Sequence, residues 1–290
     1  MTKTVLAETP PWTWNWLRWR KGSGTVFFWI VLIHALALIG LVLFPLPGWT
    51  IFFCAWGLKA LGGLGTTVAY HRSLAHGALR LNPTVERLLV GCAIFNGSGA
   101  PASWTANHRL HHAKVETEGD ISSPQRGGFW WSHLRWLWQA EESSVARWAP
   151  DLNKPGYTFW SKWQPAILLL SLCIGLPFGW AAFFWMGAIR LVFSLHAQCT
   201  VNSLAHMRRG AVANEDSSRN IAWLALPHTL QGENWHRNHH MQPNSARLGW
   251  TWKQVDLGWW VIWSLERAGL ARNVRRPRKA TADTAVPRAA

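Results

Sequence analysis

Trp104-Thr-Ala-Asn-His108-Arg-Leu-His111-His112 sets three histidines at positions i, i+3 and i+4. On a helix of about 3.6 residues per turn those positions share one arc, so the three imidazoles form a chelating face. The pattern recurs at His236-Arg-Asn-His239-His240, and a further pair stands at His71 and His76. With 13 histidines in 290 residues, two such triplets are improbable by chance. They read as metal ligands, and the remainder of the chain reads as the scaffold that brings them together.

That scaffold is unusual for a soluble domain. It combines 24 Trp and 49% hydrophobic residues with a net charge of +15, extremes that are compatible only if separated in space. Residues 22–58 carry no Asp, Glu, Lys or Arg, and in 164–207 only Arg190 is charged. Each stretch is long enough for two crossings of about 20 residues. Each also breaks near its middle, at Pro45-Leu-Pro-Gly48 and at Gly175-Leu-Pro-Phe-Gly179. Charge-free runs of this length leave no polar face for water, which excludes a soluble helical protein.

The expected spans are 25–46, 49–70, 165–178 and 180–206, in two hairpins. All Lys and Arg except Lys59 and Arg190 lie in residues 1–24, 71–162 and 207–290. These segments share one side of a four-span topology, which the positive-inside rule makes cytoplasmic. The resulting organisation is an interfacial segment (1–24), hairpin 1 (25–70), a cap with the first two His clusters (71–162), hairpin 2 (163–206), a cap with the third (207–268) and a basic, disordered tail (269–290). No signal peptide is visible. The Trp-rich runs 11–21 and 127–138 suit the headgroup layer, Pro83–Phe95 an amphipathic surface helix, 139–162 a polar connector and Trp250–Leu265 another surface helix. Cys54, Cys92, Cys173 and Cys199 form no CxxC and read as free thiols.

His71 and His76, five apart, cannot both face one ion from an ideal α-helix. Either the helix frays between them or they serve two ions. His206, at the foot of the fourth span, joins His71, His76, His108, His111, His112, His236, His239 and His240 to make nine imidazoles. Zinc is normally satisfied by four ligands; nine neutral nitrogens suit two ions of higher coordination, a description that iron meets. His34 reads as a packing residue, His133 and His228 as interfacial or loop residues, and His196 as lying outside the metal set.

The sequence HxxxxH, HxxHH and HxxHH after paired hydrophobic hairpins resembles the membrane fatty acid desaturases, and is most similar to the short acyl-CoA and acyl-lipid delta-9 group. Gly128-Phe-Trp-Trp-Ser-His133, Asn202-Ser-Leu-Ala-His206 and Gly232-Glu-Asn-Trp-His236 carry the same resemblance, which spans about residues 25–265. It implies an all-α integral membrane protein, four transmembrane helices under a cytosolic helical cap, with a di-iron site held by the nine histidines and by Asn202 through a water. It implies two Fe2+, dioxygen and an external electron donor such as a ferredoxin or a b-type cytochrome, which together place a cis double bond in a saturated acyl chain. Trp104 would stand at the bend of the acyl tunnel, with Gln198 and Cys199 replacing the family's Thr-Trp on its wall. A basic pair that contacts CoA in the acyl-CoA enzymes is absent; Glu141 and Glu142 stand nearby, pointing to a lipid-bound or other non-CoA substrate. Location in a bacterial inner membrane, with the site on the cytoplasmic side and no nucleic-acid partner, completes the expectation. Hydroxylation or ketolation on the same scaffold is an alternative, as is a metal transporter. A carboxylate-bridged di-iron enzyme needs two ExxH motifs, and only Glu233-Asn-Trp-His236 fits.

Overall fold

A computed structural model describes residues 9–208 and 210–278. The chain is predominantly helical, and four of its helices are long and apolar enough to cross a membrane: Gly24–Leu43, Trp49–Ala75, Pro155–Phe178 and Trp180–His206. The first, α1 (Gly24–Leu43), carries exposed Val31, Leu32, Leu38, Ile39 and Val42 and buries Ile30, Ile33, Ala37 and Gly40 along one stripe. Such a helix has no polar face, so its outer surface requires an apolar solvent.

The chain turns through Phe44 to Gly48, where a backbone φ of +83° uses the freedom of glycine. Helix α2 (Trp49–Leu64) follows and continues as a π-helical segment, Gly65–Ala75. A Cβ at Gly65 would lie 2.3 Å from the carbonyl oxygen of Leu89 on α3 (Pro83–Phe95); glycine there permits the close approach that seats the segment. Asn82 caps α3 by accepting from the Thr84 amide, with Pro83 in the first turn.

Helix α4 (Pro101–Lys114) bears the central His cluster. Next come α5 (Pro124–Trp130), a π turn (Trp131–Arg135), α6 (Trp136–Gln139) and α7 (Val145–Trp148). Helix α8 (Pro155–Cys173) starts ten residues earlier than the expected third span and carries Pro165 in its interior. The polar composition of 139–162 concealed α7 and the first turns of α8, because length and packing, not hydropathy, decide helicity there. The fourth span comprises α9 (Trp180–Ala182), a π segment (Phe183–Ile189) and α10 (Arg190–Asn202), ending in a 3-10 turn that contains His206.

The last elements are α11 (His236–Met241) and α12 (Leu257–Arg267). Asp256 caps α12, so residues 250–256, expected to be helical, form its approach instead. Strand β1 (Arg80–Leu81) pairs antiparallel with β2 (Ala271–Arg272). The tail expected to be disordered from 269 is therefore ordered to 278, held also by Arg275 N–H donating to Ala78 at 2.8 Å. Basic composition did not reveal this pairing, because its partner lies about 190 residues away. Residues 1–8 and 279–290, the ends of the expected interfacial segment and tail, lie outside the described residues.

Two sets of contacts tie distant segments together. Arg72, 1% exposed, donates to Asp256 at 2.9 and 3.2 Å and to the carbonyls of Ala246 and Gln231. It locks the π segment to the approach of α12, and a buried pair of this kind is costly to open. The N-terminal Trp run straps across α5 and α6: Gln139 donates to the carbonyls of Asn15 and Arg18 at 2.7 Å, and Trp16 contacts Trp130 edge-on.

Candidate metal centre

The nine clustered histidines converge from four elements, in two groups. His71, His76, His108, His112 and His239 form one; His111, His206, His236 and His240 form the other, and within each the ligand atoms lie within 4.8 Å of one another. The two triplets divide between the groups. His108 and His112, a turn apart on α4, face the first, while His111 on the adjoining arc faces the second. His239 and His240 of α11 separate in the same way.

His71 and His76 fall in the same group because the helix between them is not α. The His76 amide donates to the His71 carbonyl at 3.2 Å, an i to i+5 bond, so the two side chains meet edge to face with ring centroids 5.2 Å apart. Single π turns occur frequently at functional sites. Neither option that the spacing left open, fraying or two ions, describes this pair: the helix continues as a π segment, which brings both imidazoles into one group.

The inward atoms are Nε2. Those of His71 and His239 lie 3.0 Å apart, His239 and His112 2.9 Å, His76 and His108 2.8 Å, and His206 and His236 2.8 Å. Nitrogens at that separation cannot all be joined by protons, since each neutral imidazole carries only one. His111 Nε2 and His240 Nε2 are buried with no hydrogen-bond partner. Converging lone pairs and orphaned nitrogens are what a cation would satisfy, so the residues present fit a metal.

Four carboxylates fix the outward nitrogens. Nδ1 of His71 meets Glu233 at 2.9–3.0 Å, His111 meets Asp120 at 3.1 Å, His206 meets Glu116 at 3.0 Å and His240 meets Asp216 at 3.3 Å. Each holds the tautomer that leaves Nε2 unprotonated, the arrangement by which outer carboxylates orient metal-binding imidazoles. Burial pushes all four carboxyl groups up, yet hydrogen bonds and the facing imidazoles overcome it. All four lie below the usual carboxylate range, Glu233 at about 2. Sequence reasoning missed this shell. The available signal was weak, since Asp120 stands nine residues past His111 but Glu116 reaches His206 across 90. Glu233, which opens the ExxH pattern, supports His71 and accepts from Thr67.

Burial, reinforced by neighbouring imidazoles, holds His76, His108, His112, His236 and His239 well below 6.5, and it takes His240 to about 3 despite Asp216. His111 moves upward, because Asp120 outweighs its burial. Unfolded imidazoles take up protons below about 6.5, whereas the depressed ones remain neutral in the fold. Their contribution to stability is therefore lost as pH falls below 6.5, whereas that of the raised His111 is complete there and is lost only as pH rises above it. Metal-stripped protein is expected to unfold at progressively lower temperatures as pH falls below 6.5. A melting temperature that rose on acidification would contradict this.

Two adjoining cavities, of about 170 and 620 Å³, share Asn96, Trp104, Asn107, Leu137 and Leu195. The smaller passes His71, His108 and His111 and reaches Gln198, Cys199, Asn202 and Lys59. The larger leads to Arg20, Glu141 and Glu142. Trp104, stacked on His108 at 4.9 Å, stands where they meet. Asn202 thus faces the same space as the imidazoles, while Cys199 is otherwise packed against Ile30, Leu134 and Trp138.

The remaining histidines stay outside both groups. His34 Nδ1 bonds the Ile30 carbonyl, its Nε2 meets His196 at 3.0 Å, and His196 Nδ1 meets His133 at 2.9 Å, which in turn reaches Ser203. This imidazole chain joins α1, α10 and the π turn Trp131–Arg135. His133 and His228, expected at an interface or in a loop, are buried, each 7% exposed. Both find interior partners, and for His228 that partner is Thr200 at 3.0 Å.

A family model described as Fatty acid desaturase matches residues 47–274. The chain is 33% identical over 270 residues to delta-9 acyl-lipid desaturase 2 of Arabidopsis thaliana, covering 91% of this chain and 86% of that one. It is 36% identical over 262 residues to icosanoyl-CoA 5-desaturase of Limnanthes douglasii, covering 87% and 72%. It is 33% identical over 265 residues to sn-1 stearoyl-lipid 9-desaturase of Synechocystis sp., covering 87% and 80%.

Proposed function

Because this chain belongs to the fatty acid desaturase family, and is an oxidoreductase that desaturates fatty acyl chains, we propose that it places a cis double bond at the delta-9 position of a saturated, lipid-bound chain. One observation carries the reading: nine imidazoles converge in a group of five and a group of four, and His71, His108 and His111 among them line a cavity that passes between the helices. His71, His76, His108, His112 and His239 would hold one iron. His111, His206, His236 and His240, with Asn202 through a water, would hold the other. All-imidazole donor sets are neutral and suit iron. With iron bound, the centre supplies the dioxygen-dependent oxidation that removes two hydrogens from adjacent carbons.

The protein's own residues bind and orient the chain. The saturated chain enters by the larger cavity and turns at Trp104, which presents one carbon pair to the imidazole-lined wall. Apolar walls exclude water from that pair and fix the position of the double bond through the depth of insertion. Relatives named as a delta-9 acyl-lipid desaturase and as an icosanoyl-CoA 5-desaturase agree with a scaffold in which this depth differs from member to member.

Glu141 and Glu142 at the mouth support a lipid carrier. Arg20 lies 3.8 Å from Glu142, so those two charges answer each other, and Glu141 is left to repel the phosphates of CoA. Four spans arranged as two hairpins, with the His-bearing cap and every basic segment on the cytoplasmic side of a bacterial inner membrane, agree with the charge distribution. The net charge of +15 favours an acidic external electron donor such as a ferredoxin or a b-type cytochrome.

Expression in a host that lacks unsaturated fatty acids tests the reading. A new lipid-bound chain with a double bond at carbon 9 is expected, and hydroxylated product without any double bond would overturn it. Purified enzyme supplied with electrons is expected to act faster on stearoyl-lipid than on stearoyl-CoA; the reverse order sinks the carrier assignment.

A further inference from the structure

Lys59 lies in the middle of α2, twelve residues before His71 and so roughly 18 Å along the helix. It is 5% exposed and lines the smaller cavity, beyond Trp104 from the mouth at Arg20 and Glu142. Among the described residues it makes no ion pair and no hydrogen bond within the protein; the rings of Trp56 and Phe193 lie 5.7 and 5.4 Å from its ammonium. Cation–π contact at those distances offsets only part of the cost of burying a charge in a membrane-spanning helix. Glu233, a carboxylate of the same cavity wall, is engaged by His71 and Thr67. His228 is held neutral by burial, at about 4, and its Nε2 is occupied by Thr200.

The wall around Lys59 is polar for the far end of an acyl cavity. Thr66, Gln198, His228 and Gln231 accompany it. A methyl terminus arriving there would complete the desolvation of the ammonium and give nothing in return. An oxygen acceptor would supply the missing partner, through a hydrogen bond to a charged donor.

Resting on the reading of this cavity as the acyl tunnel, we infer that the Lys59 end is a recognition site for an oxygen function, a hydroxyl or a carboxylate, at the far end of the acyl chain. The preferred substrates are then ω-oxygenated acyl lipids. A reaction that oxygenates the chain terminus must precede this enzyme for such substrates to exist.

Equilibrium competition binding to the full-length protein in nanodiscs tests this, with palmitoyl, ω-hydroxypalmitoyl and ω-carboxypalmitoyl chains on one glycerolipid. Wild type is expected to bind at least one ω-oxygenated chain about tenfold more tightly than palmitoyl. Whichever of the two wins shows whether the acceptor is neutral or anionic. Lys59→Met, which keeps length and removes charge, is expected to abolish the preference. Equal binding by wild type, a preference for palmitoyl, or a preference retained in Lys59→Met each overturns the inference. Should Lys59→Met fail to fold, the wild-type comparison decides alone. Double-bond analysis of the same lipids separates the two readings: desaturation without preference sinks only the Lys59 site, and preference without desaturation sinks only the assigned reaction.

Discussion

Replacing His239 by alanine is expected to reduce iron from about two to about one per chain and to take desaturation below detection. His239 has the most central position in its group, its Nε2 lying 3.0 Å from that of His71 and 2.9 Å from that of His112. Its ring also faces those of His76 and His108, at 4.6 and 5.9 Å. Loss of a direct ligand should exceed the 10–100-fold cost typical of outer-shell changes. The remaining four imidazoles, held close with no cation to satisfy them, would be left less compatible with one another. Elemental analysis of purified protein, paired with chromatography of the cellular fatty acids, checks both parts. Full iron content with normal product would remove His239 from the centre.

The second large effect is expected at a residue that is not a ligand. Glu116 is fully buried and accepts from His206 Nδ1 at 3.0 Å and Ser217 at 2.5 Å, and also from Ser123. Its backbone adopts φ +58°, a conformation uncommon for a residue with a side chain, and its amide donates to Asp120 at 3.0 Å. Asp120 in turn holds His111. One short turn thus orients two imidazoles of the four-His group, and the backbone strain marks how firmly it is positioned. Glu116→Ala leaves His206 free to rotate or take the other tautomer, and a loss of 10–100-fold in metal affinity follows. Dialysis against a graded series of chelator should strip about one iron from the variant at concentrations that leave wild type fully loaded. Identical retention curves would make Glu116 a packing residue only.

What the sequence disclosed follows from the range over which each feature is encoded. The triplets His108/His111/His112 and His236/His239/His240 are local patterns on single helices, so their convergence could be expected from periodicity. The assignment of His71 and His76 to one group could not, because it depends on a π turn between them that no local residue pattern announces. The carboxylate shell was hidden for another reason. Glu116 meets His206 across 90 residues and Glu233 meets His71 across 162, and nothing local distinguishes them from solvated acids. The imidazole chain His34–His196–His133 is likewise invisible until α1 and α10 lie side by side. Hydropathy located the apolar helices but misjudged α8, whose first turns are mostly exposed and meet the core through Tyr157 and Trp160.

Arg278 accepts from and donates to the side chain of Gln242, at 3.2 and 2.8 Å, and Gln242 directly follows the helix that carries His239 and His240. A reductant domain joined directly after Arg278 would be held beside the imidazole groups instead of diffusing to them. Tethering of that kind raises local concentration to the millimolar range, so a single-polypeptide, self-sufficient catalyst is a natural engineering route from this architecture.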